Sequence, residues 1–386
     1  MTERAHFTTR AVRAGLESDE STGAIVPPLH LSSNYAFKAY GEKRKYDYSR
    51  SGNPTRDLLG DALADLEEGA GAVITSSGMS AIAVVGHLLP QGARIVAPHD
   101  CYGGTYRLFA AWQRRGELTV DFVNFGDEAA LQRSLAQPTA LLWIETPSNP
   151  LLRVTDIEAL AIEAHKVGAL VAVDNTFLSP GWQRPILLGA DIVVHSTTKY
   201  LNGHSDVVGG AVVAAKKEVH EQLAWWANCL GLTGSAFDSF LTLRGLRTLE
   251  ARLAVHGRNA DALAGWLDGQ PGISRVFYPG LPAHPGHDVA RRQQTGFGAI
   301  ITIELAGGTP AVKAFLDGLE YFSLAESLGG VESLVAHPGT MTHAAMDPEA
   351  RLAAGLTDGL LRLSVGIEDL EDLRADLAAG LKRATG

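Results

Sequence analysis

The sequence predicts an α/β fold built on an open, mostly parallel sheet with helices on both faces. Seven short apolar runs rich in β-branched residues carry that expectation: Ala72–Thr75, Arg94–Ala97, Val120–Phe125, Ala140–Glu145, Leu170–Val173, Ile192–His195 and Ala211–Ala215. Helical or loop segments separate them, the pattern of strands buried on both faces. Small and polar residues follow the runs directly, at the strand ends where such sheets hold ligands. With 386 residues, 46% hydrophobic and 20% charged, the chain can bury a sizeable core and has room for two or three domains.

Residues 1–60 hold few periodic apolar runs but contain Pro27-Pro28, Tyr46-Asp47-Tyr48-Ser49-Arg50 and Gly52-Asn53-Pro54-Thr55-Arg56. A stretch without its own core must lie on another surface, so it reads as an arm contacting a neighbouring subunit. Leu58, Leu59, Ala62, Leu63 and Leu66 then predict a helix over Asp57–Glu67 that stops at Gly69. After the first run, Thr75-Ser76-Ser77-Gly78-Met79-Ser80 opens a helix-like Ala81–Leu89, an arrangement that presents N–H groups and a positive dipole end to an anion. The later runs end in His99-Asp100-Cys101-Tyr102-Gly103-Gly104, Glu145-Thr146-Pro147-Ser148-Asn149-Pro150, Asp174-Asn175 and Ser196-Thr197-Thr198-Lys199. Trp225-Trp226 and Gly231–Gly234 lead into a long helical stretch from Ala236 to Trp266, within which the domain changes. Beyond it, Ile273–Phe277, Ala299–Glu304, Phe322–Ser327 and Leu361–Val365 read as strands of a smaller α+β domain closed by a helix over Asp369–Leu381. The expected organisation is an arm (1–60), a ligand-binding domain (61–250) and a C-terminal domain (251–386).

Formal charge is −10, and no basic block exceeds Lys43-Arg44-Lys45, which argues against nucleic acid or an anionic membrane and for small metabolites. Two cysteines, Cys101 and Cys229, are too few for a disulfide framework, and the polar start Met1-Thr2-Glu3-Arg4 lacks a leader's apolar core. A cytoplasmic protein is expected, with no membrane-spanning stretch. His284, His287, Asp288, His337 and His343 show no strong metal-binding spacing. G-x-G-x-x-G after the first run, G-x-x-x-x-G-K-[ST] and G-x-S-x-G are absent, against nicotinamide enzymes, ATP-type phosphate loops and α/β hydrolases.

Lys199 is the candidate for chemistry. A lysine amine becomes nucleophilic near neutral pH when burial or a neighbouring cation lowers its pKa, and it then condenses with carbonyls. The hydroxyls of Ser196 and Thr198 suit a phosphate beside it. A carbonyl next to a phosphate suggests pyridoxal 5'-phosphate; the alternative is a surface lysine at a strand end. Asp174 supplies the carboxylate that pyridoxal chemistry needs against the pyridine nitrogen, or else caps a turn. Tyr102 would stack on the ring or lie at a rim. The Gly78 and Met79 N–H groups would meet the phosphate. Arg362, between Leu361 and Leu363, matches a planar carboxylate bidentately if buried and is a solvated strand arginine otherwise.

Ser196-Thr197-Thr198-Lys199-Tyr200-Leu201-Asn202-Gly203-His204 resembles the signature of the pyridoxal-phosphate enzymes of cysteine and methionine metabolism. Tyr48-Ser49-Arg50, Asn53-Pro54-Thr55-Arg56, Ser77-Gly78-Met79, Asp174-Asn175-Thr176 and Ala325-Glu326-Ser327-Leu328-Gly329-Gly330 carry the same resemblance over essentially the whole chain. Ala97–Gly104 and Trp225-Trp226-Ala227-Asn228 are most similar to the bacterial cystathionine γ-synthase branch. The resemblance implies the aspartate-aminotransferase-like fold (fold type I) and a homotetramer of two tight dimers. It implies that Lys199 carries the cofactor, that Asp174 meets the pyridine nitrogen, and that Ser77, Gly78, Met79, Ser196 and Thr198 hold the phosphate. Tyr48 and Arg50 are implied to reach the phosphate of the neighbouring subunit. Tyr102 stacks and aids proton transfer, Arg362 binds the α-carboxylate with Asn149 and Ser327, and Glu326 lies near the substrate.

The implied reaction is γ-replacement, in which cysteine displaces succinate from O-succinyl-L-homoserine to give L-cystathionine. One departure bears on the acyl group: Ser51 follows Tyr48-Ser49-Arg50 where some succinylhomoserine-using relatives have a second arginine. Arg107 and Lys43-Arg44-Lys45 are the remaining candidates for the distal carboxylate. The rivals are a cystathionine γ-lyase and an O-acylhomoserine sulfhydrylase, which use the same cofactor groups, and a binding protein that keeps the fold.

Overall fold

The computed structural model describes residues 4–342, 349, 351 and 354–386. Seven strands form one sheet in the order β1-β7-β6-β5-β4-β2-β3. They are β1 (Gly71–Thr75), β2 (Arg94–Pro98), β3 (Thr119–Val123), β4 (Leu141–Glu145), β5 (Leu170–Asp174), β6 (Ile192–His195) and β7 (Gly210–Ala214). Each expected run is therefore a strand; Ile192–His195 matches its run at both ends, and the others differ by one or two residues at one end or both. Pairing is parallel between β5 and β6 and between β2 and both β3 and β4. Strand β7 is antiparallel to β1 and β6. Its first residue, not its last, consequently pairs with the end of β1, Gly210 opposite Thr75.

Two compact units divide the chain, residues 1–91 with 170–250 and residues 92–169 with 251–386. In the first, a helix over Pro54–Glu67 starts where the Asn53 side chain accepts the N–H groups of Thr55 and Arg56, and it ends at Glu68 in the left-handed conformation. Leu59, Leu63 and Leu66 bury one face of it. The expected single helix from Ala236 to Trp266 is two, Ala236–Leu246 and Leu249–Leu267. At the break, Gly245 lies so close to the chain at Asn202 that a Cβ would stand 2.1 Å from the Asn202 carbonyl oxygen. The Thr248 N–H and hydroxyl both turn back to the Gly245 carbonyl at 3.1 Å, ending the first helix.

The second unit holds β4, β2 and β3 and a five-stranded sheet, order β10-β11-β12-β9-β8. Its strands are β8 (Ile273–Phe277), β9 (Ile300–Leu305), β10 (Ser323–Leu324), β11 (Leu334–Ala336) and β12 (Leu360–Ser364). Here the expected strand Phe322–Ser327 is corrected. Only Ser323 and Leu324 pair as a strand; Ala325 gives its N–H to the Val335 carbonyl at 3.1 Å, and the chain then leaves the sheet before returning as β11, a strand the sequence did not announce. The final helix, Leu370–Thr385, starts at the Asp369 cap and buries Leu373, Leu377 and Leu381 at helical spacing. No helix among the described residues is long and apolar enough to cross a membrane. Among the described residues no group of three or more His, Cys, Asp or Glu side chains gathers as metal ligands, and His343 lies outside those residues.

Candidate active site

In the first unit, strand ends bring Asp174, Ser196 and Lys199 into one hydrogen-bonded framework. The Thr176 N–H donates to Asp174 Oδ1 (3.0 Å), and the Thr176 hydroxyl oxygen accepts the Ser196 N–H (2.9 Å). Lys199 turns back so that its own N–H meets the Ser196 carbonyl at 3.2 Å. Asp174 keeps some exposed surface. Its carboxyl is nonetheless held above the usual carboxylate range, because desolvation outweighs the Thr176 hydrogen bonds and the nearby His195.

A buried brace that the sequence did not reveal stands behind this framework. Glu67, fully buried, places Oε1 2.6 Å from His195 Nε2 and accepts from Asn175 Nδ2 at 3.0 Å. One carboxylate thus ties the residue after Asp174 to the residue before Ser196. Its signal was available: Glu67 follows Leu63 by one helical turn, so it falls on the apolar face.

The helix Gly78–Gly86 begins at Ser77, whose side chain accepts the Ser80 N–H at 3.1 Å. The N–H groups of Gly78 and Met79 belong to the first turn, which has no intrahelical acceptor for them. Gly78 lies against Ser196, where a Cβ would meet the serine Cβ at 2.9 Å and its hydroxyl at 3.2 Å. Thr198 is engaged differently: its hydroxyl donates to the Gly209 carbonyl (3.2 Å) and accepts the Gly209 N–H (3.0 Å). An anion reaching Thr198 therefore competes with Gly209. Tyr48 is 50% exposed on the arm, with the Arg50 guanidinium 5.8 Å from its ring centroid. Arg50 itself donates to the Asn228 carbonyl at 3.1 Å.

In the second unit, Arg362 is 3% exposed at the centre of β12, flanked by Ala336 on β11 and Thr302 on β9. Its Nη1 donates to Asn149 Oδ1 (2.9 Å) and its Nη2 to the Ser327 carbonyl (2.8 Å). Ser327 adopts φ 134°, a region costly for a residue with a Cβ, at the point where its carbonyl meets the guanidinium. Tyr102 immediately precedes the helix Gly103–Arg114 and is 39% exposed, while Arg107 on that helix and Glu326 are exposed. The Tyr102 N–H donates to Glu145 Oε2 at 2.7 Å, and the Asn149 N–H to Glu145 Oε1 at 3.0 Å. The sequence-predicted residues thus form two groups, one per unit.

The residues fit a phosphate-bearing carbonyl cofactor. Gly78 keeps a helix N-terminus open beside Ser196, and a desolvated carboxyl at the end of β5 stands ready for a cation such as a protonated ring nitrogen. That set of groups, on this α/β fold, fits a pyridoxal-phosphate enzyme. The chain matches the model of the Cys/Met metabolism PLP-dependent enzymes over residues 8–382. Cystathionine γ-synthase of Escherichia coli K12 is 56% identical over 97% of this chain and 98% of its own. A cystathionine β-lyase of Coxiella burnetii is 46% identical, covering 98% of each. A solved cystathionine γ-synthase of Xanthomonas oryzae pv. oryzae, in complex with aminoacrylate and cysteine, is 61% identical, with a TM-score of 0.98 over 99% of each chain. This chain belongs to the pyridoxal-phosphate-dependent enzymes of cysteine and methionine metabolism, the trans-sulfuration family.

Proposed function

We propose that the protein is a cystathionine γ-synthase, which replaces the γ-succinyloxy group of O-succinyl-L-homoserine by the sulfur of L-cysteine to give L-cystathionine and succinate. The carrying observation is the buried Arg362 with Asn149 and the Ser327 carbonyl, a planar cation placed to take an amino acid's α-carboxylate. Similarity to γ-synthases at 56% and 61%, against 46% for the β-lyase, favours replacement over cleavage.

Pyridoxal phosphate, when bound, supplies a carbonyl that captures amines and a protonated ring that draws off electron density. Ser77, Ser196, Thr198 and the N–H groups of Gly78 and Met79 bind its phosphate, and Asp174 holds the proton on the ring nitrogen. Arg362 clamps the α-carboxylate of the amino acid. Lys199 Nζ takes the Cα proton, passes it on by way of the Tyr102 phenol and, neutral again, takes a Cβ proton; the γ-substituent then leaves with the electron pair of its bond to Cγ, and the cysteine thiolate adds in its place. Tyr102 stacks on the ring and its phenol relays protons. Arg107 and Lys43-Arg44-Lys45 meet the distal carboxylate of the succinyl group, and Glu326 lies beside the substrate. In the same reading the arm (1–60) lends Tyr48 and Arg50 to a neighbouring subunit in a homotetramer. Residues 61–250 form the cofactor domain and 251–386 the C-terminal domain, and the enzyme works in the cytoplasm.

A lyase is the second reading, favoured by Ser51 after Tyr48-Ser49-Arg50 and by the Coxiella relative. Product analysis separates them. Succinate and cystathionine from O-succinyl-L-homoserine plus cysteine, with little 2-oxo acid from cystathionine alone, support the synthase. Rapid release of 2-oxobutyrate with cysteine, or of pyruvate with homocysteine, from cystathionine alone would replace it with a γ- or a β-lyase.

A further inference from the structure

Glu145 closes β4 and is only 6% exposed, a place where a carboxylate is costly unless its oxygens accept hydrogen bonds. The two oxygens serve different loops, for Oε2 accepts the N–H of Tyr102 and Oε1 the N–H of Asn149. Tyr102 is not held by its own side chain in a way that would make the contact redundant. Tyr102 occupies the position before its helix without a side-chain cap and is 39% exposed, so packing does not fix its direction. Asn149 is buried, and its Oδ1 receives Arg362 Nη1. One carboxylate therefore joins the loop after β2 to the loop after β4, and reaches Arg362 through Asn149. A reciprocal contact secures the same two loops from the other side. Asp100, two residues before Tyr102, accepts from the Ser148 hydroxyl at 3.0 Å and from Arg153.

We propose that Glu145 is a positioning residue that sets the ring of Tyr102 and, through Asn149, the carboxylate clamp of Arg362. This rests on the roles given above to Tyr102 and Arg362. The chemistry of the substitution follows from donor and acceptor counts. A glutamine offers one acceptor oxygen, and its NH₂ would face an N–H donor, so Glu145→Gln keeps only one of the two bonds. Glu145→Asp keeps the charge but is one methylene too short to span both loops.

The test is a spectral titration of the purified cofactor-loaded enzyme with glycine, beside methylamine, which lacks the carboxylate, together with the circular dichroism of the bound cofactor and the melting temperature. For Glu145→Gln the expected result is an apparent glycine Kd raised about tenfold, methylamine unaffected, and an altered cofactor dichroism. Glu145→Asp should show the same split more mildly, and it carries the test if the glutamine variant does not fold. A lowered melting temperature with glycine Kd within about twofold of the parent would make Glu145 a structural brace only and overturn the proposal. Equal losses for glycine and methylamine would overturn it too, since the clamp would not be what moved. Failure of the parent enzyme to respond spectrally to any amine would instead remove the cofactor role of Lys199, and this proposal with it.

Discussion

Asp174 illustrates how a single side chain can be shaped for a partner. Burial raises its carboxyl pKa, so in the cofactor-free protein the folded state binds this proton more tightly than the unfolded chain does. Its contribution to stability is therefore most favourable at low pH and is lost as pH rises from the ordinary carboxylate range through the raised value. Asp174→Asn removes that ionisation. The cofactor-free variant should melt above the parent at about pH 8, and the two should converge near about pH 4. A difference that is the same at both pH values would show that desolvation is not its source. Lys199→Ala should lower turnover by at least about 10³-fold. Cofactor should still bind through the groups around Ser77 and Ser196 but should no longer be fixed to the protein by borohydride; near-normal rates would remove the lysine from the chemistry. Both residues stand out in the sequence because they lie just past an apolar run, Asp174 directly after Leu170–Val173 and Lys199 four residues after Ile192–His195. Glu67, His195 and Glu145 were not singled out, because each has a partner far along the chain, 128 residues apart for the Glu67–His195 contact and 43 for Glu145 with Tyr102.

At the scale of elements, the start of helix Gly78–Gly86 depends on the missing Cβ at Gly78, which leaves room for Ser196. Gly78→Ala should shift that helix end and raise the cofactor dissociation constant roughly tenfold, measured by equilibrium dialysis. Unchanged affinity would place the phosphate elsewhere. Gly245→Ala tests a different contact, since its Cβ would stand 2.1 Å from a backbone oxygen that cannot rotate away. Overpacking of that kind costs about 1–3 kcal/mol, read as a lower urea midpoint for the variant. The seven sheet strands were recoverable from the sequence because strands buried on both faces are continuously apolar. The break after Leu246 was not, since it comes from a close approach to Asn202 rather than from a proline or a turn signature. Strand β11 was missed for its length: Leu334–Ala336 is too short to show a period.

At the scale of the whole molecule, the arm makes a prediction of its own. If Arg50 serves the site of a neighbouring subunit, then Arg50→Ala and Lys199→Ala damage different sites when they sit in different subunits. Mixing the two inactive variants under subunit exchange should restore about a quarter of the parent activity, because half the dimers are hybrid and each hybrid has one intact site. No recovery, with exchange verified by light scattering of tagged subunits, would return Arg50 to its own chain, where it meets the Asn228 carbonyl. A net charge of −10 repels anions at long range, so in the proposed function a succinyl carboxylate is drawn in by local cations such as Arg107 rather than by the overall field.

The sequence by itself determined the α/β class, the strand ends near which Lys199 and Asp174 stand, and the glycine turn that opens helix Gly78–Gly86. Those are local properties: apolar runs, small-residue turns and ionisable groups at run ends are set by neighbours along the chain. Only the tertiary structure decided which carboxylates brace which loops and what a buried arginine touches. Arg362 and Asn149 are 213 residues apart, and whether that guanidinium is a solvated strand residue or an enclosed clamp depends on which strands flank it. Desolvation, which turns Glu145, Glu67 and Asp174 from ordinary carboxylates into constrained ones, arises only when distant segments close over them.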